Sequence, residues 1–441
     1  MWRRLTLTSC LLNLLLLNPS STQAAPATPL TASSAAVPLQ PHVPYTDTTP
    51  NKILWTTTTS GSGSYPRPQR GALGGSILGP DNVPIDLQNA DVFAPPTTDN
   101  GNVPNFKWPF SFSHNKLKEG GWTRQQNAHD LPQSEIAGVN MRLEAGAVRE
   151  LHWHTAAEWA YVLKGEVRIS TITPEGKVWV GDVGEGDIWY FPAGNPHSIQ
   201  AKDTFPEGSE FLLIFDSGTF SEDSTFGLTD WLAHVPKSVL AKNFGMAGNE
   251  QAFDHIPEHE LYIFPSQPPP KSVEDDMVVP NDTPNPFTFE FSKVVPEQKQ
   301  AGTVKIVDTR TFNVSKTISA AEVELEVGGL RELHWHPTEP EWTFFISGEA
   351  RITLFASQSN AATFDFYPGD IAYIPPSYGH YIENVGTTPL KFIEILKTNL
   401  FQDISLSQWL ALTPPELVKA HLGFSDEIIS HLSKTKLTLV K

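Results

Sequence analysis

The 441-residue chain has a single cysteine, Cys10. With no second thiol, an intrachain disulfide is excluded, so stability must come from packing, helped by bound metal or subunit contacts. Long apolar runs are scarce too. The N-terminal stretch Leu11–Leu17 is too short to span a bilayer, and no later segment is long and apolar enough to do so. Positive charge is the third shortage: 31 Lys and Arg stand against 49 Asp and Glu, a net charge of −18, with no basic run after the first few residues. That balance argues against nucleic acid or an anionic membrane as a partner. It also means that a small anionic substrate needs a local cation to hold it.

What is present begins with an export pattern. Arg3 and Arg4 precede Leu11–Leu17, and small residues follow at Ala24 and Ala25, so residues 1–25 are expected to be a signal peptide and the protein to be secreted. Sequons at Asn281 and Asn313 agree with glycosylation on a secretory route. Residues 26–95 are expected to be a leader, rich in Pro, Ser and Thr, whose composition cannot build a core.

From about Trp108, short strand-like runs alternate with Gly, Pro and Asp turns, the pattern of a β-sandwich or barrel. The order then repeats. "WPFSFS" is echoed by "NPFTFEFS", "EWAYVLKGEVRISTI" by "EWTFFISGEARITLF", and a helical stretch at residues 229–245 by another at 407–423. The period is too long for a solenoid, so one domain is duplicated: residues 96–262 and 263–441, with a proline-rich linker at 264–286.

The strongest signal is "RELHWH", found at 149–154 and again at 331–336. On a strand, alternate residues share a face, which puts His152 with His154, and His334 with His336. Such imidazole pairs are costly to bury unless they bind metal. A carboxylate follows each pair, Glu158 in the first half and Glu341 in the second, with Glu339 as local competitor. A third histidine, His197 or His380, opens a later strand. Three neutral imidazoles and one carboxylate leave a divalent ion with one net positive charge. Arg149 and Arg331 precede the histidines, and such cations beside a metal suit a small dicarboxylate. The alternative is an ion pair with Glu150 or Glu332. The other eight histidines lack such company and are expected to be structural or solvated.

These segments carry a family resemblance. "GAVRELHWHTAAEWAYVLKG" (Gly146–Gly165) and "GGLRELHWHPTEPEWTFFISG" (Gly328–Gly348) resemble the first cupin motif, the latter only with Glu341 as ligand. "GDIWYFPAGNPHSIQA" (Gly186–Ala201) and "GDIAYIPPSYGHYIEN" (Gly369–Asn384) resemble the second motif. The chain is similar to a bicupin and, from roughly Trp108 to Gly423, to the secreted oxalate decarboxylases of fungi and their bacterial relatives. The resemblance implies an all-β fold of two jelly-roll barrels with short peripheral helices, each barrel holding manganese. It implies conversion of oxalate to formate and carbon dioxide, with dioxygen as a cofactor that is not consumed.

Within that family "FSEDSTF" (Phe220–Phe226) corresponds to a mobile lid carrying a catalytic glutamate, matched here by Glu222 with Ser221 and Ser224. A general acid there would protonate the carbon that loses carbon dioxide. The family's third lid residue is Asn; here it is Asp223, whose charge beside an anionic substrate is expected to slow closure or shift the pH optimum. The same stretch also fits a helix N-cap. Arg149 is implied as the substrate-binding cation, with Arg331 its counterpart. Glu394 matches a second-domain glutamate of the family, whose nearby tyrosine is replaced by Phe401. The second half lacks a Ser-Glu lid, so turnover is expected in the first domain, and a structural or electron-transfer role for the second.

Three rivals remain on sequence grounds. A germin-like oxalate oxidase would release hydrogen peroxide, and Glu222 argues against it. A storage bicupin would have eroded ligand sets. A cupin dioxygenase for larger substrates would not require an arginine beside each metal. Bacterial relatives assemble into hexamers built from trimers, so the resemblance also implies homo-oligomerisation.

Overall fold

The computed structural model describes residues 82–89, 92, 95, 96 and 98–441. The expected signal peptide at 1–25, and most of the expected leader, lie outside the described residues. Within that leader the described residues include one short helix, Val83–Gln88.

Each half is a pair of antiparallel sheets. In the first half, the seven-stranded sheet runs in space as Thr288–Phe289, Ile188–Phe191, Glu158–Lys164, Ser209–Phe215, Ala137–Leu143, Gly121–Gln126 and Lys116–Lys118. Facing it is a sheet centred on Val148–Trp153, His197–Ala201, Glu166–Ile172 and Val178–Gly184, edged by Phe226–Gly227 and Ile263–Phe264. The second half repeats both sheets around Glu341–Ser347 and Leu330–Trp335. This is the expected duplicated cupin: two β-sandwich barrels with short peripheral helices.

Burial explains why the two halves are one body. In Glu158–Lys164 the first five residues are all buried, unlike a strand with one wet face. Ala160 and Val162 point into the first barrel's core with Phe211 and Trp189. Trp159 and Tyr161 point the other way, into a separate core shared with Trp342, Phe344 and Tyr373 of the second half. A third core fills the second barrel around Phe345, Ile352 and Phe392. The shared core is stitched by hydrogen bonds from Trp342 Nε1 to Gln126 Oε1 (2.8 Å) and from Tyr161 Oη to Glu322 Oε2 (2.5 Å).

Besides Ile263–Phe264, which pairs with Val148–Trp153 of the first half, two strands cross the expected boundary. Lys107–Pro109 pairs with Asp370–Ile374 of the second half, and Thr288–Phe289 pairs with Ile188–Phe191 of the first. In space, therefore, the division differs from 96–262 and 263–441 at both strands. Each is followed by a 3-10 turn, Phe110–Phe112 and Phe291–Lys293, where an uninterrupted strand was expected. The turns drop Phe110 and Phe291 into the shared core. The expected closing helix at 229–245 is two helices, Leu228–Ala233 and Lys237–Asn243. Pro236 separates them, because proline cannot donate the backbone bond that would continue the first. Among the described residues no helix is long and apolar enough to cross a membrane.

Candidate metal centres and active site

Strand register assembles each centre. In the first half His152 and His197 are direct partners on neighbouring strands, while Glu158 opens the facing strand next to Phe215 and Phe191. In the second half His334 pairs with His380, and Glu341 opens the corresponding strand. Gly165 (φ +80°) and Gly348 (φ +87°) end those Glu-bearing strands in the left-handed region. A Cβ at Gly165 would lie 2.5 Å from the Gly208 carbonyl oxygen, so the turn that closes the Glu158 strand at its far end requires glycine.

The structure brings together His152, His154, Glu158 and His197, and separately His334, His336, Glu341 and His380; all eight are buried, and within each set the ligating atoms lie within 4.8 Å of one another. The half-buried Glu339 takes no part. Backbone carbonyls fix the rings. In the first centre the Nδ1 atoms of His152, His154 and His197 face the carbonyls of Glu150 (2.6 Å), Ala156 (2.7 Å) and Asn195 (2.8 Å). In the second, His334, His336 and His380 face those of Glu332 (2.7 Å), Gln402 (2.7 Å) and Tyr378 (3.0 Å). A carbonyl can only accept, so each Nδ1 carries a proton, and Nε2 is left as the ring atom turned toward the carboxylate and open to a metal.

Glu158 is itself oriented by Trp189 Nε1 (2.9 Å), and Glu341 by Thr343 Oγ1 (2.5 Å). Burial pushes the Glu158 carboxyl up, but His154 and His197 outweigh it and hold it well below the usual carboxylate range. Burial, and then the charge of Arg149, hold His152 well below the usual imidazole value. The Nε2 atoms of His197 and His334 are buried without a hydrogen-bond partner among the described residues. A buried imidazole lone pair left unmatched in each ring of ligands is what a divalent cation would satisfy, so both sets fit a metal.

The two arginines differ. Arg149 Nη1 donates to the Tyr262 carbonyl (3.1 Å), and its guanidinium lies 3.8 Å from the centre of the Tyr262 ring. Among the described residues it forms no ion pair, and Glu150 instead accepts from Thr229 Oγ1 (2.5 Å). Arg331, by contrast, is bound to Glu394 (3.0 Å) and Asp403 (3.0 Å). Glu332 accepts from Ser405 (2.7 Å) and the Thr438 backbone (2.7 Å). Neither arginine pairs with its following glutamate, so that alternative is set aside. Burial pushes Asp403 up, yet Arg331 and Lys436 prevail and bring it down to about 2.

The Ser-Glu stretch forms a 3-10 turn, Glu222–Ser224, capped by Ser221 Oγ accepting from the Asp223 N–H (3.3 Å). Glu222 points inward: it accepts from Thr123 Oγ1 (2.9 Å) and from the Tyr262 hydroxyl. Burial pushes its carboxyl above the usual value despite those bonds and the nearby Arg149. A narrow cavity of about 10 Å³, room for roughly one water, is lined by Arg149, His152, His154, Glu158, Glu222 and Tyr262. Metal ligands, free cation and acid thus face one space. In the second half the buried Phe401 stands edge-on to His336 at 5.9 Å.

Sequence reasoning missed Thr123, Tyr262 and Asp403. Tyr262 has φ +63°, a conformation bulky residues avoid, and it is fully buried. No local pattern announces it.

Comparison with known proteins agrees with this architecture. The cupin family profile matches residues 112–252 and 295–430. The chain is 49% identical over 379 residues to the oxalate decarboxylase OxdC of Bacillus subtilis, covering 85% of this chain and 97% of that protein. It is 42% identical over 380 residues to a probable oxalate decarboxylase of Arthroderma benhamiae, covering 84% of this chain and 92% of the relative. A solved structure of a variant of the Bacillus subtilis enzyme superposes with a TM-score of 0.82 at 48% identity, covering 86% of this chain and all of the other. Another solved structure concerns the Mn(II) centres of that enzyme.

Proposed function

The chain belongs to the cupin family, and within it to the bicupin oxalate decarboxylases; on that premise we propose that its first centre converts oxalate to formate and carbon dioxide. The observation that carries this reading is one cavity bordered by three of the four metal-type ligands, by an arginine without a carboxylate partner among the described residues, and by a buried glutamic acid. Both His3Glu sets would hold manganese; at the first, His152, His154, Glu158 and His197 would present a cation for one substrate carboxylate and one-electron chemistry, with dioxygen proposed as a second cofactor that is not consumed.

The chain's own residues do the rest. Arg149 binds the other carboxylate of oxalate, its donors not consumed by an acidic neighbour. When the carbon–carbon bond breaks and carbon dioxide leaves, the remaining carbon takes a proton from Glu222, giving formate. Oxalate dianion plus one proton balances formate plus carbon dioxide. Thr123 and Tyr262 orient the acid, and the Ser221–Ser224 turn keeps water out. At the second centre Glu394 and Asp403 already occupy Arg331, so we assign it metal binding rather than turnover.

The test is product analysis of the manganese-loaded protein with oxalate, in air, at mildly acidic pH. About one formate per oxalate with little peroxide is expected. Peroxide without formate would establish an oxidase, against which the placement of Glu222 argues; neither product would leave a binding protein.

We also propose secretion, tested by recovering the processed chain from the culture medium. Asn313 is the proposed glycan site, since it is exposed and its amide donates only a long bond to the Asn285 side chain (3.3 Å), whereas the half-buried Asn281 exchanges two bonds with the Val180 backbone (2.8 Å each); peptide mass mapping decides between them. Self-association is proposed from a duplicated apolar face. Exposed Leu151 and Trp231 flank Trp153, and exposed Leu333 and Trp409 flank Trp335 in the other half. Light scattering at the mass of one chain would sink that proposal.

A further inference from the structure

The Ser221–Ser224 turn separates two spaces. On one side lies the narrow cavity at the first centre; on the other is a cleft of about 620 Å³ whose walls include Lys116, Thr123, Gln125 and Asp223. Glu222 borders both. A substrate entering from the cleft must therefore displace the turn, and what holds the turn sets how often the centre opens.

The holding groups come from one hairpin, Lys116–Lys118 with Gly121–Gln126, in which Lys116 and Thr123 are direct partners. Thr123 binds the Glu222 carboxylate (2.9 Å), and Gln125 Oε1 accepts from the Glu222 N–H (3.0 Å). Lys116 Nζ reaches Asp223 Oδ1 at 3.3 Å, the one ion pair between this hairpin and the turn among the described residues. Its ammonium also lies 3.8 Å from the centre of the Tyr262 ring, and the Tyr262 hydroxyl donates to Glu222. A second carboxylate, Glu260 Oε1, waits 3.5 Å away, off the turn.

From this arrangement we propose that Lys116 is the latch of the lid: a positioning residue that holds the Ser221–Ser224 turn closed through Asp223 and steadies Glu222 through Tyr262. The proposal rests on the decarboxylase reading of the first centre. Two features suit a latch. Asp223 is 81% exposed, so its ion pair is screened by water and breaks readily. When it breaks, Lys116 keeps Glu260, so the open state does not carry an unpaired ammonium. The charge of Asp223, an expected obstacle to closure, is thereby turned into a closing contact.

The test compares wild type, Lys116→Met, Asp223→Asn and the charge-swapped double variant Lys116→Asp/Asp223→Lys, all manganese-loaded. Two quantities are followed: hydrogen exchange of the backbone amides at 222–225, and peroxide formed per formate. Each single variant should speed exchange by up to about fivefold, the range of an exposed ion pair, and raise the peroxide share. The double variant should recover part of both, and 0.5 M salt should speed exchange in wild type but not in Asp223→Asn. Unchanged exchange in both single variants would overturn the latch, as would a double variant no better than the singles. If Lys116→Met fails to fold, Asp223→Asn and the salt response decide alone. A wild type that makes no formate would sink the decarboxylase reading, yet the exchange comparison would still decide the latch.

Discussion

At Glu222 a carboxyl is buried among a hydroxyl, a phenol and an arginine, and burial prevails in raising its proton affinity. Below the raised value the group is protonated and can donate; as pH rises through it, the donor form is lost. Formate production should therefore persist to higher pH than an ordinary exposed glutamate, near 4.3, would allow, and then fall. Glu222→Gln should lower formate turnover by about 10²- to 10⁴-fold, and any residual rate should lose that limb; an unaltered pH profile would exclude Glu222 as the donor. The two arginines predict opposite phenotypes. Arg149→Ala strands no buried carboxylate, so it should raise KM for oxalate and cost less stability than Arg331→Ala, its loss being the Tyr262 contacts alone. Arg331→Ala strands Glu394 in the interior and leaves Asp403 with Lys436 alone, so it should cost about 3–5 kcal/mol, read as a lowered denaturation midpoint. The metal ligands and Glu222 were legible in the sequence because strand alternation and a short local motif carry them. Thr123, Tyr262 and Asp403 were not, since each reaches its site from a distant segment and has no partner nearby in the chain.

Element by element, the duplication was legible because its strands are long enough to show alternation and end at repeated glycines. The exchange of Lys107–Pro109 and Thr288–Phe289 was not: strands of two or three residues carry no period. Nor did alternation say where the outward aromatics of Glu158–Lys164 and Glu341–Ser347 go, since a buried sheet face and an exposed one differ only in what covers them. Here each covers the other, with Trp342 against Gly138: a Cβ on that glycine would sit 2.3 Å from the indole. Gly138→Ala should thus force the two halves apart locally and destabilise both. Trp342→Ala should cost about 3–5 kcal/mol through the cavity it leaves, and also orphan Gln126 Oε1. Urea melts followed by one probe in each half would check this. The two transitions should shift together, and a shift confined to the second half would contradict a shared core.

For the molecule as a whole, the same ligand set twice over makes metal a source of stability for a chain in which Cys10 is the only thiol. Each buried set holds three imidazoles and one carboxylate with their ligating atoms within 4.8 Å of one another, and among the described residues no group completes the hydrogen bonding of His197 Nε2 or His334 Nε2. An ion bound only by the folded chain stabilises it by RT ln(1 + [L]/Kd), about 2.7 kcal/mol per site at a hundredfold excess over Kd. Removing manganese with a chelator should lower the melting temperature by several degrees, and adding it back should restore it. Because imidazoles must shed protons to bind metal, the gain should shrink as pH falls. His152→Ala and His334→Ala separate the centres. Each should halve the manganese per chain, and each should remove part of the metal-dependent rise in melting temperature. Only the first should abolish formate production through loss of a ligand facing Arg149 and Glu222. If His334→Ala abolished turnover while the first centre kept its metal, the second centre would have to take part in the chemistry, against the pairing of Arg331 with Glu394 and Asp403.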